Sequence, residues 1–288
     1  MSHCFITWID SWTDRFNPIT VRDLKRLKGW KGLEGFTIFI QTGLIMAVGG
    51  MLLLGFHPSF SFPKPTETAL MVSGLVVTVT GYGIFAACFT SLNRLVKSRK
   101  EDELFELVPL TPKQQVHGYL ASSCILSIYF FGMTLPFLMT ATLIGPVPWP
   151  MHFVPIGVFL LGQVLLLFGL SFLARTKGTA DFILVAFLGY IGIAPLELPW
   201  FGVITLWNEV FHWPTLHWNT PIGFVTFFYF LPTAVAILGF VSYRLSILHF
   251  ALRRKPAYKA AVFNIFVYSL LSTVLAGIYF VVAWCVHR

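Results

Sequence analysis

The sequence predicts an all-α membrane protein: a polytopic helical bundle of about seven spans, led by an N-terminal interfacial amphipathic helix. Three observations predict it. Apolar residues make up 56% of the 288-residue chain and charged residues only 11%, against about 25% charged in a soluble domain. Mean hydropathy is +0.76. Uncharged runs cover Gly35–Pro63, Thr68–Asn93, Gln114–Ala174, Val210–Tyr243 and Ala260–His287, and each exceeds the roughly 20 residues that cross about 30 Å of hydrocarbon. A soluble chain this long with so few charges could not cover its own core. The runs are also too long and too little alternating for a barrel.

The first ten residues lack a basic start and a long apolar core, so the first span is expected to serve as the targeting signal. Asn17-Pro18 is a helix-start pair, with Asn as N-cap and Pro at the first helical position. Val21, Leu24 and Leu27 then recur at helical spacing, while Arg22, Lys25, Arg26 and Lys28 occupy other faces. This describes a basic amphipathic helix in the inner interface, and Gly29 and Gly32 allow a bend after it. Residues 1–33 are thus a cytoplasmic N-terminus, and 34–288 a transmembrane domain.

Seven spans are expected at about 36–56, 69–92, 117–143, 152–174, 182–206, 222–248 and 261–285. The Gln114–Ala174 run is too long for one span. Gly145-Pro146-Val147-Pro148-Trp149-Pro150 divides it, because each proline removes a donor and fixes φ. Pro195 and Pro199 interrupt the fifth span, with Glu197 between them. With the N-terminus inside, eighteen of the twenty Lys and Arg fall on the inner side, leaving only Lys64 and Arg288 outside. That asymmetry orients the chain. The net charge of +8 therefore belongs to the inner face and to anionic lipid headgroups. No basic tract interleaved with aromatics forms a groove for nucleic acid.

The loop from 93 to 116 differs from everything around it. Four cations, Arg94, Lys97, Arg99 and Lys100, precede four carboxylates, Glu101, Asp102, Glu103 and Glu106, set beside the apolar Leu104, Phe105, Leu107 and Val108. Acidic residues suit the positive end of a short helix, and Pro109 stops it. Thr111-Pro112-Lys113-Gln114 restarts a helix, with Thr as N-cap and Gln completing a capping box. A charged, structured loop between two spans is where a membrane protein can meet a soluble partner.

The outer segment, 199–221, holds Trp200, Trp207, Trp213 and Trp218 with Glu209, His212 and His217. No His pair there has the i, i+4 spacing of a helical metal site and no HExxH occurs. The segment reads as an aromatic belt at the outer headgroups, with no metal site and no catalytic residue. Within the spans, Gln41, Gln163, Glu197 and Asn264 are the costly polar groups. Glu197, flanked by prolines, has three readings: lining a polar outer vestibule on a pathway, pairing with a cation, or reaching headgroups from the interface. The four cysteines, Cys4, Cys88, Cys124 and Cys285, form no CxxC pattern and read as small apolar fillers or unpaired thiols.

Two segments resemble a known family. Asn17-Pro18-Ile19-Thr20-Val21-Arg22-Asp23-Leu24-Lys25-Arg26 is similar to the Asn-Pro-x-x-x-Arg-Glu-Leu-basic start of type-2 ABC exporter permeases. Glu103 to Leu120, read as Glu-Leu-Phe-Glu-Leu-Val-Pro-Leu-Thr-Pro-Lys-Gln-Gln-Val-His-Gly-Tyr-Leu, is similar to their Glu-Leu-Leu-x-x-x-Pro-Leu-Ser-Pro-x-x-Ile-x-x-Gly-Lys-Leu segment. Together they cover about 30 residues, so the resemblance is local. It departs from the family at Glu101-Asp102, where Gly-Thr is usual, at Tyr119 in place of Lys, and in a seventh span. The resemblance implies that 17–26 is an elbow helix and that 93–116 is a coupling loop whose residues 101–108 dock into a cytoplasmic ATPase. It further implies a second permease chain, the same or homologous, and a prokaryotic inner membrane. ATP and Mg are then expected in the ATPase, because this chain has no GxxxxGK[ST] phosphate loop and no cofactor of its own. Two other classes are compatible with the composition: an accessory or assembly subunit that does not transport, and a membrane enzyme acting on lipids. The latter lacks any convergent nucleophile, base or metal motif.

Overall fold

A computed structural model describes residues 17–28, 31–55, 65–98, 110–145, 152–173, 197, 199, 221–252 and 257–287. Among them every regular element is a helix, as expected where lipid leaves backbone groups no outside partner. In chain order these are α1 (Pro18–Lys28), α2 (Lys31–Gly55), α3 (Pro65–Ser98), α4 (Pro112–Ile144), α5 (Val154–Leu173), α6 (Pro221–Ala251) and α7 (Ala257–His287). Five are long and apolar enough to cross a membrane: the Thr68–Asn93 part of α3, all of α4, α5 and α6, and α7 as far as Val286. In α2 the corresponding apolar stretch is the shorter Ile40–Gly50. Most of the expected fifth span, all but Glu197 and Pro199, the expected coupling segment 101–108, the Gly29 bend and the outer segment's Trp and His residues lie outside the described residues. Gly32 falls inside α2.

The helix starts follow the local chemistry. At α1, Ile19 N–H donates to Asn17 Oδ1 at 3.0 Å and Val21 N–H to the Asn17 carbonyl at 3.0 Å. At α4, Gln114 N–H donates to Thr111 Oγ1 at 3.3 Å while Thr111 N–H donates to Gln114 Oε1 at 2.9 Å. That is the reciprocal capping box the sequence spells out. α6 is regular at both ends but holds a π-turn over Thr226–Phe230, where Leu231 N–H reaches back to the Thr226 carbonyl.

The chain packs as two compact units. The first comprises Met1–Arg94 with His117–Leu166, the second Leu95–Val116 with Leu167–Arg288. In the first, Leu44 and Val48 of α2, Val72 and Val76 of α3, and Leu138 and Ala141 of α4 form one apolar cluster. A second joins Ala87 to Leu126, Phe130 and Met133. α5 approaches α3 closely because Gly162 has no side chain: a Cβ there would lie 2.5 Å from Ile84 Cγ2. In the second unit the core is Phe172, Leu245, Ala257, Ala261 and Tyr268, with Phe168, Phe172 and Tyr268 ring to ring at centroid distances of 4.7 to 5.9 Å.

Candidate functional site

The best-defined feature near the expected inner face is the seat of α1 on the start of α4, within the first unit. Ile19, Thr20 and Asp23 form the buried face of α1, at the i, i+1, i+4 spacing of one helical stripe. Thr20 Oγ1 donates to the Gly118 carbonyl at 3.1 Å. Gly118 is required by this approach, since a Cβ would sit 2.7 Å from Ile19 Cβ and 2.9 Å from Asn17 Oδ1. Asn17 therefore does two jobs: it caps α1 and it packs on α4.

Arg22 closes the seat. Its Nε and Nη2 lie 3.0 and 2.9 Å from Asp23 Oδ1, and Asp23 is fully buried while Arg22 keeps 16% of its side chain exposed. Burial works against the guanidinium charge, but the neighbouring Asp23 and then Tyr119 outweigh it and hold the Arg22 pKa above its ordinary value. Arg22, one of the residues expected on the interfacial helix, is tied to a carboxylate. The desolvation of such a pair offsets much of its attraction, so its net contribution to stability is small. Pro18 is exposed, and Lys25 and Arg26 lie on α1 with side chains outside the described residues.

The residues expected to dock, Glu101, Asp102, Glu103, Leu104, Phe105, Glu106, Leu107 and Val108, also lie outside the described residues, between the end of α3 at Ser98 and Leu110. Glu197 is exposed, and the structure brings no described partner to it. No group of three or more His, Cys, Asp or Glu gathers among the described residues.

Two buried polar networks complete the picture, one in each unit. In the first, Gln163 Nε2 donates to Ser127 Oγ at 3.1 Å, and its Oε1 accepts from Cys124 Sγ at 3.4 Å. Cys88 Sγ donates to the Gly162 carbonyl at 3.1 Å. In the second, Asn264 is joined by His249, Ser171, Tyr268, Ser242 and Ser246. Gln163 and Asn264 are evident in the sequence as amides within spans, whereas their partners are less so. The signal was present: Ser242, Ser246 and His249 recur at i, i+4, i+7, and Asn264 and Tyr268 at i, i+4, so each set lines one helix face. No family model, curated protein or solved structure matches the chain.

Proposed function

We propose that this chain is the membrane-spanning permease subunit of an ATP-driven exporter, working with a separate cytoplasmic ATPase and a second permease chain. One observation carries the reading. The two segments that resemble the exporter family are 98 residues apart at their point of contact, Thr20 to Gly118, yet they pack against each other. Asn17, Ile19, Thr20 and Arg22 from the first meet Gly118 and Tyr119 from the second. An elbow helix seated on the helix that follows the proposed coupling segment is an arrangement that suits such a subunit.

In this reading α1 lies in the inner interface, with Lys25, Arg26 and Lys28 toward anionic headgroups. Residues 101–108 insert Leu104, Phe105 and Leu107 into a cleft of the ATPase. ATP-driven closure of paired ATPases moves the coupling segments, and the bundle alternates between inward and outward openings. The Thr111–Gln114 capping box starts α4 immediately after the docking segment, so that motion is delivered to a helix with a defined end. Co-purification in mild detergent tests the reading: an ATPase bearing a phosphate loop should accompany the chain, and its repeated absence from the isolated complex would refute it.

The topology follows from the same reading. The five helices able to cross, together with α2 and the 182–206 segment, make seven spans that put the N-terminus inside and the C-terminus outside. Single cysteines at positions 100 and 287, in a chain freed of its own cysteines, should react with an impermeant thiol reagent from opposite sides. Labelling from one side would remove the odd-span topology.

A further inference from the structure

α7 poses a physical problem. Its exposed face carries Val262, Phe263, Phe266 and Leu270, and its buried face Ala257, Ala260, Ala261 and Leu275. Both faces are apolar. In water the hydrophobic effect would choose between them, but lipid tails are as apolar as leucine and choose nothing. Something other than hydrophobicity must set which way α7 is turned.

The second unit holds a candidate. Asn264, fully buried, donates from Nδ2 to the Ser171 carbonyl of α5 at 3.0 Å. With the amide nitrogen so engaged, its Oδ1 faces His249 Nε2 of α6 at 2.6 Å. The imidazole proton therefore sits on Nε2 and is donated to Asn264. One turn along α7, the Tyr268 hydroxyl donates to Ser242 Oγ of α6 at 2.9 Å and lies 3.0 Å from Ser171 Oγ of α5. Ser246 Oγ, on the same face of α6, lies 3.0 Å from the Leu167 carbonyl of α5. Six polar side chains, each at most 2% exposed, thus tie three helices together with bonds that have direction.

We propose that this network is a polar latch, with Asn264 as its hub, that fixes the rotational register of α7 against α5 and α6. Rotating α7 by one residue, about 100°, carries both Asn264 and Tyr268 off their partners at once. It strands His249 and Ser242 in an apolar interior, where an unmet polar group is costly. The apolar contacts of α7 would change far less. The rival account is that the alanines alone set the register by allowing close approach, as small residues do between membrane helices.

Disulfide mapping separates the two. In a full-length chain freed of native cysteines, Leu245→Cys is paired with Ala261→Cys, a residue of the same buried cluster, or with Val262→Cys, which is exposed. A third pair, Thr80→Cys with Thr134→Cys, whose hydroxyls lie 2.7 Å apart, reports on the first unit. The parent should crosslink strongly at 245–261, weakly at 245–262, and strongly at 80–134. Asn264→Leu keeps every alanine and removes the hub. Asn264→Ser is a milder version, with a hydroxyl too short to reach Ser171. We expect the 261-to-262 preference to fall by about tenfold, the equivalent of one neutral buried hydrogen bond, with 80–134 intact. Loss of both α7 crosslinks with 80–134 intact equally supports the latch. Parent-like selectivity in both variants would overturn it in favour of the alanines. Loss of the 80–134 crosslink in both variants would overturn it too, because the network would then hold the whole fold and not one helix.

Discussion

Phe105→Ala is expected to weaken binding of the chain to the cytoplasmic ATPase proposed as its partner by about thirtyfold, equivalent to about 2 kcal/mol, while Lys97→Ala leaves it nearly unchanged. Buried aromatic anchors carry most of the energy of such interfaces, and Phe105 is the largest apolar residue in the proposed docking segment. Lys97 belongs to the last turn of α3, where it is expected to face headgroups. Asp102→Asn should fall between them and lose its effect in high salt, as a rim carboxylate does. The measurement is affinity and ATPase stimulation for each variant in nanodiscs. A Phe105→Ala chain that binds and stimulates like the parent would leave the loop as a capped connection and remove the main support for the permease reading.

Gly118→Ala is expected to destabilise the protein, against the general rule for glycine in a helix. Alanine is favoured there by about 1 kcal/mol. The new methyl, however, would meet Ile19 Cβ at 2.7 Å and Asn17 Oδ1 at 2.9 Å. Ile19 Cβ is fixed to the backbone, and Asn17 Oδ1, although the end of its side chain, is held by the Ile19 N–H in the α1 cap. Overpacking of this kind costs about 1–3 kcal/mol, and displacing Asn17 gives up a cap commonly worth about 1 kcal/mol. The clash and the lost cap together outweigh the propensity gain. Gly132→Ala in the same helix is the control, because nothing lies within 4 Å of its Cβ position. Thermal unfolding in mild detergent should show a lower midpoint for Gly118→Ala and an equal or higher one for Gly132→Ala. Equal midpoints would mean that α1 does not need its seat on α4.

Much of the fold was legible because the bilayer demands long apolar runs and internally bonded backbone. The run from Thr68 to Asn93 marks α3, and the six-residue proline-rich break after Ile144 separates α4 from α5. Both helix starts with cap chemistry, Asn17 and Thr111, could be read residue by residue. The helices nonetheless extend past the spans, α3 from Pro65 to Ser98 and α4 from Pro112, because polar residues end the apolar run without ending the helix. What could not be read was pairing. Gln163 and Asn264 stood out as amides in lipid, but which hydroxyls they meet depends on how helices are turned, and apolar periodicity carries no phase when both faces are apolar. Arg22 shows the same limit: its charge placed it on the interfacial helix, but its ion pair with the adjacent Asp23 depends on side-chain geometry that the sequence does not give.

The π-turn in α6 has a consequence for how the chain can vary. A turn closed from residue 231 back to 226 accommodates one residue more than an α-helical turn does. Removing one residue from Thr226–Phe230 would convert it to ordinary helix while leaving everything downstream, Ser242, Ser246 and His249 included, pointing as before. The same deletion early in α7 would swing Asn264 and Tyr268 through about 100°. α6 therefore contains a stretch where length and orientation are uncoupled, so a one-residue deletion can be absorbed there without disturbing the interior, whereas in α7 every residue counts toward the angle.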